Sequence, residues 1–373
     1  MRLRKKQQAF IDAATAGGSP SSMFWQRLRR NRMAIASLVV IGLFALVAIL
    51  GYLITPDHTP YCNQQYLELA SMKPLSKATF LYLDNGTEAE QGPLKTLAKG
   101  RPLGAEAIPV YSYSHQGDII VAETYTGSIP NDGETLRLPA SKVKEIKTRT
   151  FLLGTDTYGR DILSQVMIGS RVSLSVGFIA VAIALLIGIL LGSLAAYYGG
   201  WVDSVIMWLI NVVWSIPTVL LVIAITFALG KGFWQVFIAV GLTMWVDIAR
   251  IVRGQVLSIK EKEYVEAARA LGYRTPRIIL RHILPNITGP VIVVTASNFA
   301  SAILLEAGLS FLGIGVQPPM PSWGSMVKEN YGQILLDSAY QAFVPGLAIM
   351  LIVLAFMLLG NGIRDALDIK EQG

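Results

Sequence analysis

A soluble chain of 373 residues would divide into two domains, but 53% hydrophobic residues and a positive mean hydropathy argue for a membrane protein instead. The surplus of 32 Lys and Arg over 25 Asp and Glu, a net +7, gathers beside the apolar runs. The positive-inside rule and anionic lipid account for it there, which removes the reason to invoke nucleic acid. The single cysteine, Cys62, excludes an intrachain disulfide.

Residues 1–33 read as a cytoplasmic arm followed by an interfacial helix. Ser21–Arg32 (SSMFWQRLRRNR) places Phe24, Trp25 and Leu28 on an apolar side and Arg27, Arg29, Arg30 and Arg32 toward lipid phosphates. Ala34–Ile54 is long enough to cross about 30 Å of hydrocarbon, and the flanking arginines keep the N-terminus inside. Residues 55–150 are polar and mixed in charge, and by alternation they lie outside the cell as a small α+β insert. Tyrosines and β-branched residues on either side of Gly117-Asp118 predict a hairpin, and Ser141–Thr148 predicts a short helix. The insert either touches a substrate-delivery protein or is a passive insertion.

Leu153–Ser164 (LGTDTYGRDILS) and Gly169–Gly177 (GSRVSLSVG) follow. This block resembles the stretch leading into the second span of permeases from dipeptide, oligopeptide and nickel importers. Asp156, Arg160, Asp161 and Arg171 are expected to form an ion-pair network at the outer membrane surface, structural rather than substrate-binding.

The second span, Val172–Tyr198, is uncharged and carries Ala180, Ala184, Gly188, Gly192, Ala196 and Gly200 at every fourth position. That spacing makes a smooth stripe for close helix packing. The third span, Ser204–Leu229, contains Asn211, Ser215 and Pro217. Proline frees backbone groups and kinks the helix there, as a pathway lining or as a packing kink. In the fourth span, Phe233–Arg250, Asp247 and Arg250 share a face and are expected to pair.

The loop Ser258–Pro285 (SIKEKEYVEAARALGYRTPRIILRHILP) is polar and basic between two apolar runs. Ser258 with Glu261 reads as a capping box, Gly272 as a left-handed C-cap, Thr275-Pro276 as a helix restart, and Pro285 as its stop. The same stretch resembles the EAA loop of ABC-importer permeases, whose pattern is Glu-Ala-Ala, three residues, Gly, nine residues, then Ile-x-Leu-Pro: here Glu266-Ala267-Ala268, Gly272 and, closing the motif in register, Leu284-Pro285. His282 departs from the Ile of that pattern. The resemblance implies that this loop docks on a separate ATPase subunit. Tyr264, Ala268 and Leu271 are spaced as a docking stripe, and Gly272 holds the corner.

The fifth span starts near Ile287 and carries Asn298, Ser301 and Glu306, candidates for a pathway or gate together with Asn211, Ser215 and Pro217. At 1.5 Å per residue Glu306 falls roughly 27 Å from the inner end, near the outer interface. A structural or gating contact is therefore expected there rather than substrate binding or mid-membrane burial. A Pro-rich outer loop with a short helix at Ser325–Leu336 leads to the sixth span, Tyr340–Leu359. Residues 151–366 thus form the transmembrane core, and 367–373 a cytoplasmic tail.

No phosphate-binding loop, His cluster, HExxH or nucleophile-elbow pattern occurs in the sequence, so no catalytic, cofactor or metal residue is expected. The expected fold is an all-α polytopic membrane protein of six transmembrane helices, with both termini cytoplasmic and a small α+β extracytoplasmic insert. The family resemblance implies a permease subunit of an ABC importer in the bacterial cytoplasmic (inner) membrane. Its implied partners are a second homologous permease chain, two ATPase subunits that hold ATP and Mg, and an extracytoplasmic substrate-binding protein. Peptides are the expected cargo, with nickel chelates as the alternative. A membrane sensor with an external domain is the rival from another class.

Overall fold

A computed structural model of the chain describes residues 20–84, 92–102, 104–127, 132–230 and 232–367. The N-terminal arm and the C-terminal tail fall outside these residues. The interfacial helix runs from Pro20 to Arg30 and ends one residue short of Asn31. The Asn31 side chain accepts from the Met33 and Ala34 amides, each at 3.1 Å, and so caps the next helix, Arg32–Leu50. Leu28 fixes the short helix by packing on Ala34 and Ala366, flanked by Phe24 and Ile363.

Among the described residues, five helices are long and apolar enough to cross a membrane: Arg32–Leu53, Ile162–Tyr198, Phe233–Ile259, Thr275–Phe311 and Tyr340–Leu367. The expected third span is not one kinked rod. Gly200–Trp214 and Thr218–Leu229 are separate helices bent by 94°. Pro217 sits between them with extended backbone (φ −54°, ψ 124°), because it can neither donate to the turn before it nor leave its predecessor comfortably helical.

The small-residue stripe packs Ile162–Tyr198 against Phe233–Ile259. Ala180, Ala184, Gly188, Gly192 and Ala196 are all buried, while Gly200 lies past the helix end and is exposed. A Cβ on Gly188 would come within 2.7 Å of the Ile248 Cβ, and one on Gly192 within 2.5 Å of the Ala249 carbonyl oxygen. The backbones are therefore closer than any side chain permits. Gly192→Leu should separate the two helices and cost about 3 kcal/mol or more, the scale of severe overpacking. Size-exclusion chromatography of the detergent-solubilised chain should show loss of the monodisperse species; a normal profile and an unchanged melting midpoint would refute the close approach.

The insert is a five-stranded antiparallel sheet in the order β4-β3-β2-β1-β5. Its strands are β1 (Ser76–Asp84), β2 (Ala105–Gln116), β3 (Ile119–Thr124), β4 (Thr135–Pro139) and β5 (Val143–Phe151). The hairpin predicted around Gly117-Asp118 joins β2 to β3. The helix predicted at Ser141–Thr148 is instead a three-residue turn, Ala140–Lys142, followed by β5. Val143, Ile146, Thr148 and Thr150 are β-branched, and pairing with β1 outweighs the modest helix preference of the intervening lysines. Because so short a turn connects the two edge strands, the sheet must coil. Leu81, Val110, Ile120 and Ala122 fill its interior beside Leu138 and Ile146.

The sheet is held firmly to the bundle. Tyr340 donates to the Met72 carbonyl at 2.6 Å, Gln341 to Thr155 at 3.0 Å, and Gln165 to Cys62 at 2.7 Å. Arg160 is the central tie: Nε donates to Asp156 at 2.5 Å, Nη2 to Glu329 at 2.5 Å and Nη1 to Asn63 at 3.2 Å. The other two members of the expected ion-pair network do different work. Asp161 caps the Ile162–Tyr198 helix by accepting from the Ser164 amide at 2.9 Å. Arg171 donates to the carbonyls of Ala48 and Ile49, closing the open end of the Arg32–Leu50 helix. Cys62 is buried, which raises its thiol above the ordinary range and leaves it unreactive.

Candidate functional site

The 258–285 loop is built differently at both ends from its sequence reading. Phe233–Ile259 runs through Ser258, so no capping box forms there, and the short helix Glu263–Ala270 begins after Lys262 without a side-chain cap. Its far end matches the expectation. Gly272 has φ +76°, its amide donates to Arg269 at 3.0 Å, and the Tyr273 amide donates to Ala268 at 3.1 Å. These two bonds make a Schellman motif that turns the chain sharply.

Beyond the corner, Thr275–Ile278 does not stop at Pro285. A π-helical turn, Ile279–Ile283, shifts the hydrogen-bond register just before the proline, which then occupies the first turn of Leu284–Phe311. Thr275–Phe311 is consequently one rod of 37 residues. Stacking braces the corner: Tyr273 lies on His282 with centroids 5.9 Å apart, and the Arg277 guanidinium lies 4.4 Å from the Tyr273 ring.

Burial divides the Glu263–Ala270 helix in two. Val265 and Ala268 face the chain's own core, 0% and 4% exposed. Tyr264, Glu266, Ala267 and Leu271 face away and are exposed, as is Gly272; Leu284 is half-buried and Pro285 exposed. Ala268, expected on the outward stripe, is thus an anchor, and Tyr264, Ala267 and Leu271 make up the free apolar face. Two further ties fix this end of the bundle. Arg253 holds Asp203 with both Nε and Nη2 at 2.6 Å, and Lys260 donates to the Ala196 carbonyl at 2.8 Å. Neither was legible in the sequence, since the partners lie about fifty or more positions apart.

Farther along the rod is a cavity of about 620 Å³, lined by Thr243, Met244, Asp247, Asn298, Ser301 and Trp214 among others. It brings Asn298 and Ser301 together. Asn211, Ser215 and Pro217 do not line it; they are exposed at the break between the two bent helices, whose flanking Trp214 and Thr218 reach the cavity. Asp247 contributes to the lining, and Arg250 does not pair with it: its guanidinium lies 3.9 Å from the centroid of Trp214. Thr243 and Asp247, four apart within the otherwise apolar stretch 236–248, are the signal that a sequence reading of this lining needed.

Glu306 is fully buried in the protein interior. Its carboxylate accepts from Ser310 at 2.7 Å and from Ser173 at 3.1 Å, and Ser322 reaches Ser310 at 3.3 Å. It therefore links two long helices to the loop before the Trp323–Asn330 helix, on the side of the rod away from the cavity.

Residues 184–371 match the family described as binding-protein-dependent transport system inner membrane component, and residues 19–74 match the N-terminal TM domain of oligopeptide transport permease C. The strands of the insert lie between the two matches. A dipeptide transport system permease protein of Alkalihalophilus pseudofirmus is 43% identical over 217 residues, 58% of this chain and 71% of that protein. A glutathione transport system permease protein of Pectobacterium atrosepticum is 40% identical over 242 residues, 65% of this chain and 80% of that protein. An oligopeptide transport system permease protein of Bacillus subtilis is 40% identical over 217 residues, 58% and 71% of the respective chains.

Proposed function

This chain belongs to the family of binding-protein-dependent transport system inner membrane components, and from that premise we propose that it is one of two permease chains in an ATP-driven importer of di- and oligopeptides. The relatives named for dipeptide, oligopeptide and glutathione transport support the cargo class. The bent pair Gly200–Leu229 counts as one crossing, giving six, with both termini and the 258–285 loop in the cytoplasm and the five-stranded sheet outside. The arginines flanking the first span and the basic loop agree with that orientation. The chain holds no nucleotide itself; two ATPase subunits bind ATP and Mg, a second permease chain completes the pathway, and an extracytoplasmic binding protein delivers the peptide.

The observation that carries the mechanism is the two-faced helix at Glu263–Ala270. Val265 and Ala268 lock it to the bundle, leaving Tyr264, Ala267 and Leu271 to seat in an ATPase groove. Closure of the two ATPases on ATP moves this helix as a body. The Gly272 corner passes the movement to the rod that starts at Thr275 and carries Asn298 and Ser301 on the cavity wall, roughly 39 Å along at 1.5 Å per residue. A displacement at the loop thus reaches the pathway without an intervening joint.

Cysteine crosslinking tests the docking face. In the assembled transporter, Tyr264→Cys and Ala267→Cys should crosslink to a cysteine in the ATPase subunit, and Ala268→Cys should not. Equal crosslinking from 267 and 268, or none from 264, would remove this face from the mechanism.

A further inference from the structure

β2 changes partners along its length. Ala105–Val110 pair with β1, a bulge intervenes between Val110 and Ser112, and Ser112–Gln116 pair with β3. From Tyr111 to Gln116 the edge opposite β3 carries no strand among the described residues, and all six residues are exposed. An antiparallel strand turns alternate residues' N–H and C=O groups away from its partner, so this edge presents backbone donors and acceptors to whatever approaches.

The two edge strands of the sheet are protected in the usual ways. β4 carries Arg137 and Pro139, and β5 carries Lys144 and Lys147. The 111–116 edge, Tyr-Ser-Tyr-Ser-His-Gln, has no Lys, Arg, Asp, Glu or Pro. Its alternation beyond the bulge puts Tyr113 and His115 on one face, with Tyr111 at the bulge itself. Tyr111 is 39% and Tyr113 47% exposed; Tyr111 stacks on Tyr125 at 5.3 Å, and Tyr113 stands edge-on to His115 at 6.1 Å. A Tyr and Ser mixture gives rigid contact area with adaptable hydrogen bonding, the composition of surfaces that bind varied polypeptides.

We propose that the 111–116 edge of β2 is a strand-addition site for an extended peptide, the cargo class itself, and this rests on the peptide reading given above. At about 3.3 Å per residue the edge is roughly 20 Å long and takes a segment of about four to six residues. Main-chain hydrogen bonds supply the affinity, and the aromatic face touches every second side chain of the guest. The edge carries no Lys, Arg, Asp or Glu, so it accepts peptides of many sequences.

The test is a titration of the full chain in lipid nanodiscs with an alternating Ala-Val pentapeptide, followed by thermophoresis. Two further peptides carry N-methyl groups on the odd or on the even residues. The unmodified peptide and one methylated form should bind, and the other should bind at least about tenfold more weakly, because only one set of N–H groups faces the edge. Tyr111→Ala with Tyr113→Ala should also weaken binding. Equal binding of all three peptides, no binding at millimolar peptide, or self-association of the chain through this edge would each overturn the proposal. Peptide uptake by the whole assembly, measured alongside, separates the two readings: uptake without edge binding sinks only this site, whereas absence of peptide uptake sinks the cargo class.

Discussion

Gly272→Val should cut peptide-stimulated ATP hydrolysis by the assembled transporter about tenfold while leaving the chain folded, since holding an L-residue left-handed costs ~1–2 kcal/mol and a β-branched one more. The cause is conformational and not steric. Gly272 has φ +76°, and a Cβ there would have nothing within 4 Å. The whole penalty therefore falls on the bent geometry that aligns Glu263–Ala270 with the rod beginning at Thr275. Gly272→Asn, which tolerates the left-handed region, should retain most of the coupling. The two variants occupy the same open space, so comparing them isolates backbone strain from side-chain bulk. If valine transports and hydrolyses like wild type in proteoliposomes, the corner is not the coupling element.

The second large effect is expected at Arg160, which is 7% exposed and ties the insert to the helix Trp323–Asn330. Removing one partner of a buried ion pair costs about 3–5 kcal/mol when the other charge is stranded. Asp156 would not be wholly stranded, because its Oδ1 also accepts from the Tyr158 and Arg160 amides, each at 2.9 Å. Glu329 is partly open to solvent. Arg160→Ala should thus sit near the lower end of that range, lowering the melting midpoint of the solubilised chain by several degrees. Adding Glu329→Gln to Arg160→Ala should recover part of the loss by removing the unpaired charge. A single variant that melts with wild type would mean that the tie contributes nothing to holding the insert.

These two positions differ in how visible they are in the sequence. Gly272 is visible because helix termination is local: a residue without Cβ, placed after an amphipathic turn and before Thr275-Pro276, specifies its own backbone conformation. The same locality made the Gly117-Asp118 hairpin, the apolar spans and the small-residue stripe legible. Arg160 was legible as a charged residue, but Glu329, its partner 169 positions away, was not.

Local reasoning also failed at residues whose neighbours in space override their neighbours in sequence. Ser141–Thr148 has the composition of a short helix, yet the open edge of β1 offers a ladder that a helix cannot use. Pro285 looks like a stop, but a π turn ahead of it takes up the register change and lets the rod continue. Ala268 and Ala267 are identical in type and adjacent, and only the packing of the helix on its own core makes one a buried anchor and leaves the other exposed.

The sequence by itself determined the class: a membrane chain of apolar spans with a glycine-cornered basic loop between two of them. Periodicity, span length and capping chemistry act over a few residues and need no partner. Tertiary structure alone decided which of those residues act together. It sank Glu306 among three serines, set Asn298 and Ser301 on a cavity with Asp247, and left the 111–116 edge of β2 without a partner strand among the described residues. Such outcomes depend on which surfaces meet, and the free energy of a buried carboxylate or an unpaired strand edge is fixed only once they have met.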